Sequence, residues 1–106
     1  MKITDLSVDD IAIIAADVRL RYRKQHNVKD ESVTRLICED VRQSISEGFS
    51  PTEAKAILID GTAWLHFGCV VDLMSATQKR RVFDAMLSPA EGFALRQWIR
   101  ENRNVK

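Results

Sequence analysis

Four short segments of the chain share one pattern of polar and apolar residues. Each has an apolar residue, a serine, two residues that helices tolerate, and then an acid or an amide. In such a segment the serine hydroxyl accepts from the backbone N–H three residues later, which caps the start of a helix. The segments begin at Leu6, Phe49, Met74 and Leu87, and their unequal spacing argues against a true repeat. Four capped starts in so short a chain predict an all-α fold.

The first two helices are predicted from apolar stripes with helical spacing. The first runs from Val8 to about His26 and carries a second stripe beside the first, so it should contact more than one neighbour or a partner chain. The first stripe holds Val8, Ile11, Ala15, Val18 and Tyr22, and the second holds Ile13, Ala16 and Leu20. The next helix should run from Glu31 to Glu47, with Asp30 as its cap and Gly48 as its stop.

Residues 51–74 permit two interpretations. One is a helix from Pro51 to Ile59, a break at Asp60-Gly61, and a central buried helix over residues 62–74. The other is a β-hairpin near residues 56–71, because Asp-Gly is a strong hairpin signal and the residues after it alternate between apolar and polar. We favour helices, since capped helices begin on both sides and a lone hairpin would find few strands to pair with.

Two further helices, over residues 76–87 and 89–102, complete the prediction. The predicted fold is one all-α domain over residues 1–106: a compact bundle of five or six helices in which an N-terminal helical hairpin packs on short C-terminal helices. The minority interpretation is an α+β fold containing the hairpin.

Composition narrows the function classes. The chain has 106 residues, of which 45% are hydrophobic and 29% charged, and a net charge of +1. A near balance of charge argues against a dedicated polyanion binder. Cys38 and Cys69 both lie in apolar segments and are expected to be reduced. The start of the chain lacks the pattern of a signal peptide, and Asp60 and Asp72 bracket the longest uncharged stretch. We therefore expect a cytoplasmic protein with no membrane partner.

Candidate enzyme chemistry is weak. His66, Cys69 and Asp72 share one face of a predicted helix, a spacing that resembles a nucleophile, a base and an orienting acid. Parallel side chains on one straight helix seldom converge on a substrate, however, and no oxyanion donor lies nearby. No metal-ligand or nucleotide-binding spacing occurs. We predict no catalytic residue, no cofactor, no metal and no enzymatic activity.

Basic residues near the C-terminal end support one alternative function. They are Lys79 and Arg80 at the start of the fifth predicted helix, and Arg96, Arg100 and Arg103 on one stripe of the sixth. Together the two helices suggest a helix-turn-helix that binds nucleic acid. An N-terminal turn of Pro89, Ala90 and Glu91 weakens this hypothesis, because recognition helices read bases with their N-terminal residues. The same residues could contact an acidic protein.

Excess apolar surface supports the function that we favour. The chain carries more apolar positions than one stripe per helix requires, among them Ile13, Leu20 and Trp98. Exposed apolar patches of this kind mark protein interfaces. We therefore predict a small intracellular non-enzymatic protein that binds a protein partner as an inhibitor, adaptor or regulator, with homodimerisation through the first helix as one form of such binding.

Overall fold

A computed structural model of the chain describes residues 6–102, apart from the side chains of residues 63–72. Its first helix, α1, covers Val8–His26, as predicted. Ser7 caps this helix, because its hydroxyl accepts from the Asp10 backbone N–H at 3.0 Å. Asn27 ends it in the left-handed conformation, with φ of 52°. The predicted core stripe is buried from Ile11 onward at Ile11, Ala15, Val18 and Tyr22.

The second helix, α2, covers Asp30–Ser46. The prediction that Asp30 caps it is wrong: Lys29 holds the N-cap position and makes no side-chain capping bond. The Asp30 carboxylate instead lies 3.6 Å from Nε of Arg19, and as an acid in the first turn it still complements the helix dipole. Gly48 follows the helix with φ of +110°, a conformation that suits glycine and fits the predicted stop.

The third helix, α3, is continuous over Pro51–Asp72. The predicted break at Asp60-Gly61 is therefore wrong, and so is the hairpin near residues 56–71. A glycine inside a helix costs about 1 kcal/mol relative to alanine, which neighbouring tertiary contacts can offset. Here Ile59 is fully buried on one side of the pair. On the other side, the buried Thr62 hydroxyl donates to the Leu58 carbonyl at 2.9 Å.

The last two helices are α4, Ala76–Ala85, and α5, Pro89–Asn102. Both start where the serine pattern predicts, whereas α4 ends two residues earlier than predicted because Met86 already caps it. Ser75 and Ser88 each form a reciprocal capping box with the residue three positions later. All four serines of the repeated pattern accept the predicted backbone bond.

These helices form a compact all-α bundle, which confirms the predicted fold class; no strand occurs among the described residues. The radius of gyration is 13.3 Å, close to the roughly 13 Å typical of a folded chain of this length. Every helix contributes to one core, whose largest fully buried side chains are Phe83, Ile37, Ile59 and Leu95. Helix α1 packs more extensively on α4 and α3 than on α2, so the C-terminal helices hold it in place.

Candidate functional site

The outward side of α1 carries the second apolar stripe that the sequence predicts. Ile13 is 69% exposed and Leu20 is 41% exposed, and the exposed Ala16 lies between them. We call Ile13, Ala16 and Leu20 the α1 face. The opposite side of the helix is buried in the core, so the α1 face lies on the surface of a helix that is otherwise firmly fixed.

Charged residues border the α1 face at both ends. Asp9 and Asp10 lie in the first turn of α1, and Arg23 and Lys24 lie in the last turn. All four are exposed, and none of them forms an ion pair within the described part of the chain. Between the two ends, Asp17 accepts from Nε of Arg21 at 2.6 Å. The face therefore has an acidic end and a basic end, and no ion pair among the described residues neutralises either of them.

Trp98, the third predicted apolar contact residue, lies elsewhere. It is half-buried on α5 and packs against the core, and the Arg42 guanidinium of α2 lies 5.7 Å from the centroid of its ring. Nε of Arg42 is buried with no hydrogen-bond partner in the described structure. Trp98 thus joins α5 to α2 and does not extend the α1 face.

The two predicted contact residues of α4, Lys79 and Arg80, form ion pairs within the chain. Nζ of Lys79 lies 2.8 Å from Oδ1 of Asp60 on α3. Nη1 of Arg80 lies 3.2 Å from Oδ2 of Asp84, one turn along α4. The side chain of Lys79 is only 14% exposed, and its ammonium group therefore points towards the protein and not into solvent.

The two described arginines of the C-terminal stripe are exposed. Arg96 and Arg100 lie on the outward side of α5, and Phe93, 63% exposed, lies one turn before Arg96 on the same side. Arg103 lies outside the described residues. The helices α4 and α5 pack little against each other, and α5 packs on α2 instead. Of the predicted basic contact residues that the structure describes, the two on α5 are the exposed ones, and they share their side of the helix with an exposed aromatic ring.

A cleft of about 280 Å³ opens between the C-terminal end of α1, α2 and α3. Its lining includes Tyr22, whose hydroxyl donates to Asp40, and His26, whose ring stacks on Tyr22 with centroids 4.1 Å apart. Burial, reinforced by the hydrogen bond to Asp40, raises the pKa of the Tyr22 phenol well above its ordinary value. Among the described lining residues the only basic side chain is that of His26, so these residues suit a hydrogen-bond donor or a cation.

Arg19, which no pattern in the sequence singles out, connects α1 to α2 and to the end of α4. Nη1 of Arg19 donates to the Thr34 hydroxyl at 2.8 Å and to the Met86 carbonyl at 3.0 Å. Glu91 lies beside this group. The Ser88 backbone N–H, which donates to Glu91 at 2.8 Å, is the main reason that the pKa of Glu91 is lowered, and Arg19 adds to it. The spacing of residues along α1 could not reveal this role of Arg19, because its hydrogen-bond partners lie near the start of α2 and at the end of α4.

The side chains of His66, Cys69 and Asp72 lie outside the described residues, as does that of Trp64. Burial raises the pKa of the Cys38 thiol, which keeps that cysteine protonated and unreactive. Among the described His, Cys, Asp and Glu side chains, no group of three or more could hold a metal ion.

Across the described part of the chain, no helix combines the length and the apolar character that crossing a membrane requires. Comparison with known proteins finds no matching family model, no matching curated protein and no matching solved structure.

Proposed function

We propose that this chain is a non-enzymatic intracellular protein that acts by binding a protein partner through the α1 face. One observation carries the proposal: Ile13 and Leu20 are exposed together on a helix whose other side is anchored in the core. Isolated exposed aliphatic residues are common, but two on one stripe of a rigid helix offer a partner a preformed surface.

The free energy gained by burying the α1 face is large enough to contribute to binding. Complete burial of an Ile or Leu side chain contributes about 1.5–3 kcal/mol. Because Ile13 is 69% exposed and Leu20 is 41% exposed, a partner that covered both would gain roughly 2 kcal/mol from them together. The charged residues at the two ends of the face would add orientation and specificity more than affinity.

Site-specific photo-crosslinking in cells of the native host tests this proposal. A photoreactive amino acid replaces Ala16, in the middle of the α1 face, and in a matched control replaces Val8, which is 77% exposed but lies outside the α1 face. We expect a defined covalent complex from position 16 that the additional changes Ile13→Asp and Leu20→Asp abolish. Equal crosslinking from both positions, or none from position 16, would refute the proposal.

A second candidate function, nucleic-acid binding, is favoured by one observation: exposed Phe93 lies on the same outer side of α5 as Arg96 and Arg100. Stacking of a base on an aromatic ring contributes about 1–3 kcal/mol, and arginines bind phosphates beside it. This surface suits binding of a single strand by α5 alone better than binding of a duplex by a helix-turn-helix. A helix-turn-helix needs two helices that pack together, and α4 and α5 pack little on each other.

Fluorescence anisotropy with a labelled single-stranded oligonucleotide tests the second candidate. If it is correct, Phe93→Ala weakens binding about 10-fold at every salt concentration. The pair Arg96→Ala and Arg100→Ala should instead flatten the salt dependence. Arg35→Ala serves as the control, since Arg35 is an exposed arginine on α2 that pairs with Glu39 at 3.1 Å. Equal effects of the α5 variants and Arg35→Ala would eliminate this candidate.

A further inference from the structure

We propose that the partner of the α1 face is a second copy of this chain, with the two α1 helices packed antiparallel about a twofold axis that passes between Ala16 and Asp17. The inference rests on the proposed function, because both use the same face. It goes further by naming the partner, the orientation and the residues that meet.

The apolar residues of the face are self-complementary in this arrangement. Ile13 and Leu20 are one heptad apart and therefore lie on the same side of α1. They are equally distant from the proposed axis, so Ile13 of one copy is level with Leu20 of the other. Ala16, next to the axis, is small enough to let the two helices approach closely. Both large side chains of the α1 face are thus covered by the other copy.

The charges at the ends of α1 match in the same register. Asp9 and Arg23 lie one heptad before and after Ala16, and Asp10 and Lys24 lie one heptad before and after Asp17, so each acid shares its side of α1 with a base. Antiparallel packing therefore places the acidic end of each helix against the basic end of its partner. The resulting pairs, each joining two copies, are Asp9 with Arg23 and Asp10 with Lys24.

The helix dipole alone does not account for this arrangement. The dipole favours acids in the first turn and bases in the last, but it does so on every side of a helix. Here each acid shares its side of the stripe with a base at the opposite end. All four charges are exposed and without an ion pair within the described part of the chain. A parallel pair would place acids beside acids and bases beside bases, which is unfavourable.

One like-charge contact occurs near the axis. Asp17 of one copy approaches Asp17 of the other, but each carboxylate accepts from its own Arg21 at 2.6 Å, which offsets the repulsion. The interface formed by one helix from each copy is smaller than the standard protein interface of about 1,600 Å². We therefore expect a reversible dimer with a Kd on the order of micromolar or weaker, which salt weakens further.

Charge exchange tests the proposal. The basic variant carries Asp9→Lys with Asp10→Lys, and the acidic variant carries Arg23→Glu with Lys24→Glu; circular dichroism establishes that each folds. Sedimentation velocity should show a concentration-dependent dimer for the wild type. Each variant alone should dimerise at least about 10-fold more weakly, because like charges then meet at both ends. Mixing the two variants should restore a dimer that contains one copy of each.

Two results would overturn the inference: a wild type that stays monomeric at all concentrations, or variants that dimerise as the wild type does. A monomeric wild type that still crosslinks to a different protein through position 16 would refute self-association and leave the proposed function intact. A crosslinked product with twice the mass of the chain would support both.

Disulfide crosslinking tests the antiparallel orientation. Ala16→Cys places a thiol next to the axis, so the two introduced thiols of a dimer lie close together. Ile13→Cys places the thiol level with Leu20 of the other copy, so the two introduced thiols lie far apart. We expect the first variant to form a disulfide-linked dimer at least about 10-fold faster than the second, since the geometry of a disulfide is demanding. Equal rates would indicate parallel packing and would refute the inference.

Discussion

The ion pair between Lys55 and Asp84 joins α3 to α4, and its two partners should respond unequally to mutation. Nζ of Lys55 lies 2.8 Å from Oδ1 of Asp84, and the side chains are 7% and 37% exposed respectively. Lys55 also lies 5.5 Å from the centroid of the Phe83 ring. Asp84 has a second partner in Arg80, at 3.2 Å. Removal of the acid leaves a buried ammonium, whereas removal of the base leaves an acid that keeps one partner.

The magnitudes follow from this asymmetry. Breaking a fully buried pair costs about 3–5 kcal/mol, mostly because one charge is left without a counter-ion. Since water reaches Asp84, we expect Asp84→Ala to lower the free energy of unfolding by about 2 kcal/mol. Lys55→Met fills a similar volume without a charge and should change that free energy by less than about 1 kcal/mol. The double variant should recover most of the loss caused by Asp84→Ala.

Urea denaturation followed by circular dichroism measures all three variants. A loss of about 2 kcal/mol corresponds to a midpoint lowered by roughly 1 M urea in a domain of this size. Glu39→Ala is the matched control, because it removes the acid of the exposed Arg35–Glu39 pair and should cost no more than about 0.5 kcal/mol. If Asp84→Ala proved no more destabilising than Lys55→Met, Asp84 would not be the required counter-ion of Lys55, and the reasoning would be refuted.

Three further predictions concern the cleft and the start of α5. Gly61→Ala should stabilise the chain by about 0.5–1 kcal/mol in thermal denaturation, because an added Cβ meets nothing within 4 Å; a lower melting temperature would contradict this. Tyr22 is the single tyrosine, so phenolate absorbance reports on it alone. Because its pKa is raised in the folded chain, the unfolded phenol ionises first, and stability should fall as the pH rises above about 10, a loss that Tyr22→Phe removes. The pKa of Glu91 is lowered, so the stability that it contributes should be present above about pH 4.5 and lost as the pH falls; Glu91→Gln should therefore destabilise at neutral pH and match the wild type in acid.

Local patterns in the sequence were sufficient for the fold class and most helix starts. A serine followed by an acid or amide three residues later satisfies backbone N–H groups within a single turn, so Ser7, Ser50, Ser75 and Ser88 cap helices wherever the rest of the chain lies. The two stripes of α1 were likewise readable, because helical spacing fixes which residues share a side.

Tertiary structure decided the features that depend on distant residues. Asp60-Gly61 reads as a break when taken alone, but packing of Ile59 and the pairing of Asp60 with Lys79 keep α3 continuous. That same pairing directs Lys79 towards the protein, although its place in a basic run suggests a solvent-facing charge. The exposure of a residue depends on which other helix packs against it, and local sequence patterns do not specify that helix.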